Sequence, residues 1–307
     1  MTARGASPMK IRDMLRQNKF TLSFEVFPPK REGNVESLYS TVDNLIRCNP
    51  HFISVTYGAG GSTRDKTVEI ASHIKNEHGQ EVLAHLTCVG TTRHDIGRIL
   101  DDLKDKHLEN ILALRGDPPQ GKDVFMKTKG GFGYANELVE FIKEHDDFCI
   151  GVAGYPEKHL EAPSMAADME NLKRKVDAGG DFIITQLFFI NDVFHRFRDL
   201  AVNRKISVPI IPGIFPLFNY SQISRIGSLC DPAIPSQLLD KLYKVRDKNE
   251  EVQKYGIEHA IRQCEDLLSN EVSGLHFCCM NKSDHVMEIV RQLSIPMQKT
   301  TSADEYY

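Results

Sequence analysis

Apolar residues recur with a period of two between Leu22 and Phe27, where Leu22, Phe24 and Val26 interleave with Ser23, Glu25 and Phe27. That period marks a strand. Pro28 and Pro29 end it, since a proline cannot donate to a sheet ladder. Seven later runs repeat the scheme: FISVTYGAGG (52–61), VLAHLTC (82–88), NILALRGDPP (110–119), FCIGVAGYPE (148–157), FIITQLFFI (182–190), PIIPGIFP (209–216) and GLHFCCMN (274–281). Helical spacing predicts a short amphipathic helix at Ile11–Gln17 and longer ones at Val35–Cys48 and Arg64–His78. Another runs from an N-cap at Thr91 or Thr92 through Lys106, and others cover Tyr134–His145, 164–178 and 191–203. The stretch Asn219–Asn270 reads as wholly helical with breaks near Pro232–Pro235 and Asn249, and a closing helix reaches Leu293.

Eight strand-then-helix units with near-continuous apolar strands point to an all-parallel sheet. The economical fold is α/β: a (β/α)8 TIM barrel with extra helices before the last strand. A doubly wound open sheet is the alternative; the regular units and the lack of a dinucleotide fingerprint argue against it.

Composition narrows the class. The 307 residues are 41% hydrophobic and 26% charged, ordinary for a soluble globular chain, and one barrel accounts for that length. With 38 Lys+Arg against 42 Asp+Glu the formal net charge is −4, which gives no electrostatic case for nucleic acid or an anionic membrane. Lys173-Arg174-Lys175 is the one basic cluster and reads as a solvated helix face. No apolar run approaches the roughly 18 residues of a membrane span, and the N-terminus has no signal-peptide core. The seven cysteines include no CxxC pair, so we expect reduced thiols in a cytoplasmic protein. Residues 1–8 are expected to be disordered or an added remnant, with Met9 as an alternative start. A single catalytic domain is expected over 9–296 and a flexible tail over 297–307.

Barrel active sites form where strands end at the C-terminal face. Those ends carry Glu25, Thr56-Tyr57, His85-Thr87, Arg115-Asp117, Tyr155, Gln186 and Asn281-Lys282. A carboxylate among bulky apolar neighbours tends to keep its proton, so Glu25 reads as an acid with a raised pKa, or else as one half of an ion pair. Arg115-Gly116-Asp117 offers a donor, a close backbone approach and an anion, or simply an Arg–Asp pair in a turn. His85 is either a ligand contact or a buried histidine satisfied by a carbonyl. Without HxH or HExxH no metal site is expected. GAGGST (58–63) is a phosphate cradle at a helix N-terminus or a tight turn. On spacing alone His159, Asp168 and Lys175 are surface residues.

The ordered set SFEVFPPK, SVTYGAGG, HLTC, ALRGDPP, AGYPEKH, LKRKVDAG, FIITQLFF and IIPGIFP resembles the 5,10-methylenetetrahydrofolate reductase family. The match runs from about Leu22 to Leu293 and is similar to the short bacterial type, the catalytic barrel alone. The resemblance implies FAD as cofactor and a place in one-carbon metabolism and methionine biosynthesis. It puts Glu25 in the role of general acid and Asp117 in that of the acidic group near pterin and flavin. It assigns FAD contacts to Thr56, His85, Arg115, Gly116, Tyr134, Ala153, Tyr155, His159, Asp168 and Lys175, and folate contacts to Gln186, Gln222 and Lys282. Three positions depart from the family pattern. Ile226 stands where a phenylalanine often stacks on the nicotinamide or folate, Lys282 replaces an arginine, and Gly180 replaces an alanine linked to flavin retention. Alanine at 180 is expected to hold flavin better, provided the glycine has φ < 0.

The implied reaction is ping-pong: NADH or NADPH reduces the flavin and leaves, then methylenetetrahydrofolate binds. Glu25 protonates N10 and opens the five-membered ring, hydride reaches the methylene, and 5-methyltetrahydrofolate forms. A homo-oligomer is expected. The alternative is a barrel subunit of a larger redox complex, taking electrons from a partner subunit.

Overall fold

The computed structural model describes residues 9–18, 20–29, 35–57, 64–118 and 125–295. The expectations placed on 1–8, on the 58–63 loop and on 297–307 lie outside them. Within the described residues the predicted alternation is present. The strands are β1 (Thr21–Val26), β2 (Phe52–Val55), β3 (Val82–Thr87), β4 (Asn110–Leu114), β5 (Cys149–Gly154), β6 (Phe182–Thr185), β7 (Ile210–Ile211), β8 (Gly213–Ile214) and β9 (Gly274–Cys278). All pair in parallel in the order β7-β6-β5-β4-β3-β2-β1-β9-β8. The run 209–216, expected as one strand, is two. Pro212 interrupts it, leaving β7 on β6 and β8 on β9. Because one residue joins these two pieces, they close the circle as one bent barrel strand. Proline cannot donate at this point, but its carbonyl still accepts from His276 N–H at 3.0 Å.

The apolar strands read as continuous because both faces are buried, and period two sorts their side chains. Leu22, Phe24, Val26, Ile53, Val55, Ile111, Ala113, Ile150 and Val152 face outward into the core shared with the helices. Phe52, Leu83, Leu112, Cys149, Phe182, Ile184 and Ile211 face inward and fill the barrel. The outer ring holds α2 (Val35–Ile46), α3 (Arg64–His78), α4 (Arg93–Asp105), α5 (Ala135–His145), α6 (Met165–Asp177), α7 (Asn191–Asn203) and α11 (Ser283–Gln292), while α1 (Ile11–Gln17) lies at the N-terminal end of the barrel. Helix α4 starts where its sequence says. Thr92 Oγ1 accepts from Asp95 N–H and Asp95 Oδ2 accepts from Thr92 N–H, both at 3.1 Å, a reciprocal capping box.

Helix α1 plugs the N-terminal end. Ile11 and Met14 join the inward cluster, Ile11 N–H donates to Asn110 Oδ1 at 2.8 Å, and Arg12 bridges both carboxylate oxygens of Asp147 at 2.8 and 2.7 Å. The opposite end stays open. The run 219–270 resolves into α8 (Ser221–Leu229), α9 (Ser236–Lys244) and α10 (Asn249–Ser269), with breaks at the expected prolines and just before Asn249. These extra helices carry their own core of Phe189, Phe215, Leu217, Ile226, Leu238, Leu242 and Val252. Among the described residues no helix is long and apolar enough to cross a membrane.

Candidate functional site

Inward positions near the open end are not apolar. Register sets Glu25 of β1 between Ser54 of β2 and Cys278 of β9, and Ser23 beside His276. His85 enters from β3. Its Nε2 lies 2.6 Å from Ser54 Oγ and 3.4 Å from Glu25 Oε2. His276 Nε2 lies 3.6 Å from that same oxygen, while its Nδ1 is 2.8 Å from Ser23 Oγ. Two serine–histidine arms therefore converge on one carboxylate oxygen.

This geometry corrects the expectation that Glu25 keeps a raised pKa. Burial does push the carboxyl up, but His276, the charge of His85 and the Cys278 thiol outweigh it, and the net direction is down. Desolvation lowers His85 to about 4 against the pull of Glu25. At neutral pH the ligand-free site thus holds an ionised Glu25 and a neutral His85. Burial and the adjacent Glu25 hold the Cys278 thiol well above its ordinary value, so it stays protonated. Asn281 fixes the strand end. Its Oδ1 accepts from Phe27 N–H and its Nδ2 donates to Phe27 O, both at 2.8 Å, replacing the ladder that Pro28 and Pro29 cannot continue.

From Glu25 a cavity of 250 Å³ extends over the barrel mouth, lined by His85, Arg115, Gly116, Asp117, Ala153, Tyr155, His159, Gln186, His276 and Cys278 among others. A second cavity, of 450 Å³, continues outward between the β4 and β5 loops and α6. It shares Arg115, Ala153, Tyr155 and His159 with the first and adds Tyr134, Asp168, Arg174 and Lys175. Gly116 has φ +86°, and a Cβ there would lie 2.8 Å from Val89 Cγ1, so only glycine fits this turn. Arg115 does not pair with Asp117. It forks onto Glu161 at 2.6 and 2.7 Å, leaving Asp117 exposed at the cavity rim.

Three residues read from spacing as surface polar groups are drawn into this trough. Asp168 is buried, and its Oδ2 accepts from His159 N–H at 3.1 Å. Lys175 donates to Ala153 O at 2.5 Å, and burial lowers its ammonium to about 8 against the opposing charge of Asp168. His159 packs edge-on to Tyr155 with centroids 4.8 Å apart, and burial beside Arg115 lowers its pKa. Tyr134 is 63% exposed at the trough's edge. Gln186 lines the inner cavity, with its Oε1 held by Leu187 N–H at 2.9 Å.

Other candidates sit apart. Thr56 is buried at the end of β2, outside the residues lining either cavity. Gln222 is buried, and its Oε1 takes Phe218 N–H at 2.6 Å and Asn219 N–H at 2.9 Å, bracing the loop before α8. Lys282 is exposed in the β9–α11 turn. Ile226 is 2% exposed inside the core of the extra helices, so its side chain packs there and not on a ligand. Gly180 lies outside the left-handed region, but a Cβ there would sit 3.1 Å from Lys175 O and 3.2 Å from Val152 Cγ1. Sequence reading missed Ser23, Ser54, His276, Cys278 and Glu161. The available signal was parity: in GLHFC, His276 and Cys278 alternate with Leu275 and Phe277, which belong to the outer core.

Comparison with known proteins places the chain in a family. The family model for methylenetetrahydrofolate reductase matches residues 10–294. Methylenetetrahydrofolate reductase (NADH) 1 of Arabidopsis thaliana is 39% identical over 297 residues, covering 93% of this chain and 50% of the plant protein. The 5,10-methylenetetrahydrofolate reductase of Salmonella typhimurium is 38% identical over 280 residues, 91% of this chain and 92% of that one. The chain therefore spans about half the length of its plant relatives and nearly all of the bacterial one. Among solved structures, an uncharacterized Clostridium thermocellum protein that binds two copies of 5-methyl-5,6,7,8-tetrahydrofolic acid superposes with a TM-score of 0.60 at 13% identity, over 92% of this chain and 96% of the other. That likeness concerns the fold alone. On the family match and the identity to these relatives, the chain belongs to the methylenetetrahydrofolate reductase family.

Proposed function

We propose that this protein reduces 5,10-methylenetetrahydrofolate to 5-methyltetrahydrofolate, with FAD in the outer trough and NADH or NADPH as reductant. The observation that carries the reading is the joined pair of cavities, with an ionisable acid, Glu25, in the inner one and a polar trough holding Lys175 and Arg174 in the outer. The residues of the trough fit a dinucleotide. Lys175 is held against a neutral carbonyl and has its pKa depressed by burial, so an anionic pyrophosphate beside it would favour the charged ammonium. Arg174 adds positive charge, Arg115 being paired with Glu161, and the exposed ring of Tyr134 offers a stacking surface. FAD, when bound, would supply the hydride relay between nicotinamide and folate.

The chain's own groups do the rest. Gln186 and the apolar wall of Leu112 and Ile184 would receive the pterin and seal the inner cavity from water. Closing the pterin over Glu25 removes solvent that stabilises its charge, which raises its pKa from the depressed ligand-free state and favours proton uptake. Glu25 then gives that proton to N10 as the five-membered ring opens. Asp117, at the rim, would stabilise the positive charge that develops at N5. Gln222 and Lys282 would meet only the outer part of the folate, because neither lines the inner cavity.

The test is direct. Purified protein should be yellow, bleach anaerobically with NADH or NADPH, and recover its colour on adding methylenetetrahydrofolate, with 5-methyltetrahydrofolate detected by mass spectrometry. A colourless protein that neither FAD nor folate stabilises against heat would reject the reading.

A further inference from the structure

We propose that Glu161 occupies, in the ligand-free protein, the place on Arg115 that the diphosphate of a dinucleotide takes, so that binding exchanges one anion for another. This rests on the reading of the outer trough as a dinucleotide site and concerns a residue that the family resemblance did not assign. Arg115 Nη1 donates to Glu161 Oε2 at 2.6 Å and Nη2 donates to Oε1 at 2.7 Å. In the same two-pronged geometry a guanidinium takes a phosphate. The two partners are unequally held. Arg115 lies against the Phe125 ring, 4.8 Å from its centre, and its side chain is 18% exposed, whereas that of Glu161 is 53% exposed. The arginine is anchored and the glutamate stands half in water.

The turn between β5 and α6 is braced through its backbone and does not depend on the Glu161 carboxylate. Lys158 N–H donates to Tyr155 O at 3.0 Å and Ala162 N–H to His159 O at 2.9 Å. The Glu161 N–H itself donates to His159 Nδ1 at 3.1 Å. Among the described residues the carboxylate has no hydrogen-bond partner other than Arg115. If it swings out, the loop stays in place and the protein loses one pair that water and salt already screen.

The charges of the trough fit such an exchange. Its lining sets Arg115, Arg174 and Lys175 against Glu161 and Asp168. Asp168 is buried and tied to the His159 N–H, so it cannot leave, but Glu161 can. With Glu161 turned out, two positive charges are in excess, which a doubly charged diphosphate matches. With Glu161 in place, the same ligand meets an excess of one and finds a carboxylate on the forked donor. Glu161 therefore acts as a filter on the ligand. A flavin without phosphate brings nothing to replace it, whereas a dinucleotide carries its own anion to the fork.

Glu161→Gln should tighten FAD binding about 3–10-fold, because it removes both the competing anion and its repulsion of the diphosphate. The readout is the equilibrium release of FAD from diluted holoenzyme, followed by flavin fluorescence, which needs no turnover. ADP, added as a competitor of FAD, should gain by a similar factor, and riboflavin, which has no phosphate, by no more than about twofold. FAD binding should also depend more steeply on salt in the variant, since Arg115 then meets the ligand with its charge unpaired. Unchanged or weaker FAD binding overturns the proposal, because Glu161 would then be orienting Arg115 for the ligand. Equal gains for riboflavin and FAD also overturn it, since the effect would not run through the diphosphate. A structure of FAD-loaded wild type is a second test, independent of whether the variant folds. Arg115 and Glu161 should lie farther apart than the ion-pair distance of about 4 Å, and an intact fork contradicts the exchange. If wild type binds FAD and these outcomes fail, only this inference falls. If wild type binds neither FAD nor ADP, the dinucleotide reading of the trough fails and this inference with it.

Discussion

At the residue scale, the site depends on positions whose neighbours are fixed by the barrel. Gly116 is one: its φ of +86° and the 2.8 Å approach of Val89 Cγ1 to a Cβ combine backbone strain with overpacking. Gly116→Ala should destabilise by about 1–3 kcal/mol, read as a lower urea midpoint, and should displace Asp117 from the rim. Gly180 is subtler. The expectation that alanine there would hold flavin better assumed only φ < 0, whereas a Cβ would press on the Lys175 carbonyl and on Val152. Neither a helix backbone nor a buried strand side chain yields readily, so Gly180→Ala should lower stability by about 1 kcal/mol, with a lower melting temperature in the ligand-free protein. Glu25 was legible as the odd carboxylate in an apolar strand. Its protonation state was not, because that depends on His85 and His276, each brought to it by strands distant in sequence. For the same reason spacing placed His159, Asp168 and Lys175 on a surface, and only the family resemblance moved them to the site.

At the element scale, the period-two strands and the helix boundaries were legible because both rest on local chemistry, as the Thr92 capping box illustrates. The break at Pro212 and the task of α1 were not, since each is a matter of closing the barrel. The amphipathic pattern of Ile11–Gln17 says that one face is buried but not against what. Ile11 is fully buried in the inward cluster at the closed end. Ile11→Ala should therefore cost about 2–4 kcal/mol. The urea midpoint should fall with the slope unchanged, since a cavity in the plug weakens the barrel without altering the surface exposed on unfolding.

At the scale of the whole molecule, the mouth of the barrel stores charge at some cost to acid stability. Burial lowers His85 from its ordinary 6.5 to about 4. Between those values the unfolded chain binds a proton that the folded chain refuses, so stability is full above about pH 6.5 and is lost as pH falls toward 4. The contribution is on the order of 3 kcal/mol at neutral pH. Melting temperatures from pH 7 to 4 should fall less steeply in His85→Asn than in wild type, and equal slopes would mean that His85 titrates normally.

The central claim, that Glu25 supplies the proton that opens the folate ring, separates the two halves of the reaction. Glu25→Gln keeps the shape but has no transferable proton. Stopped-flow traces of flavin reduction by NADH and of reoxidation by methylenetetrahydrofolate measure the halves independently. The account predicts reoxidation slowed by ~10²–10⁴-fold, with reduction within about tenfold of wild type, a barrier change near 1.4 kcal/mol. Equal losses in both halves would contradict it, because Glu25 would then be holding the site together and the acid would lie elsewhere.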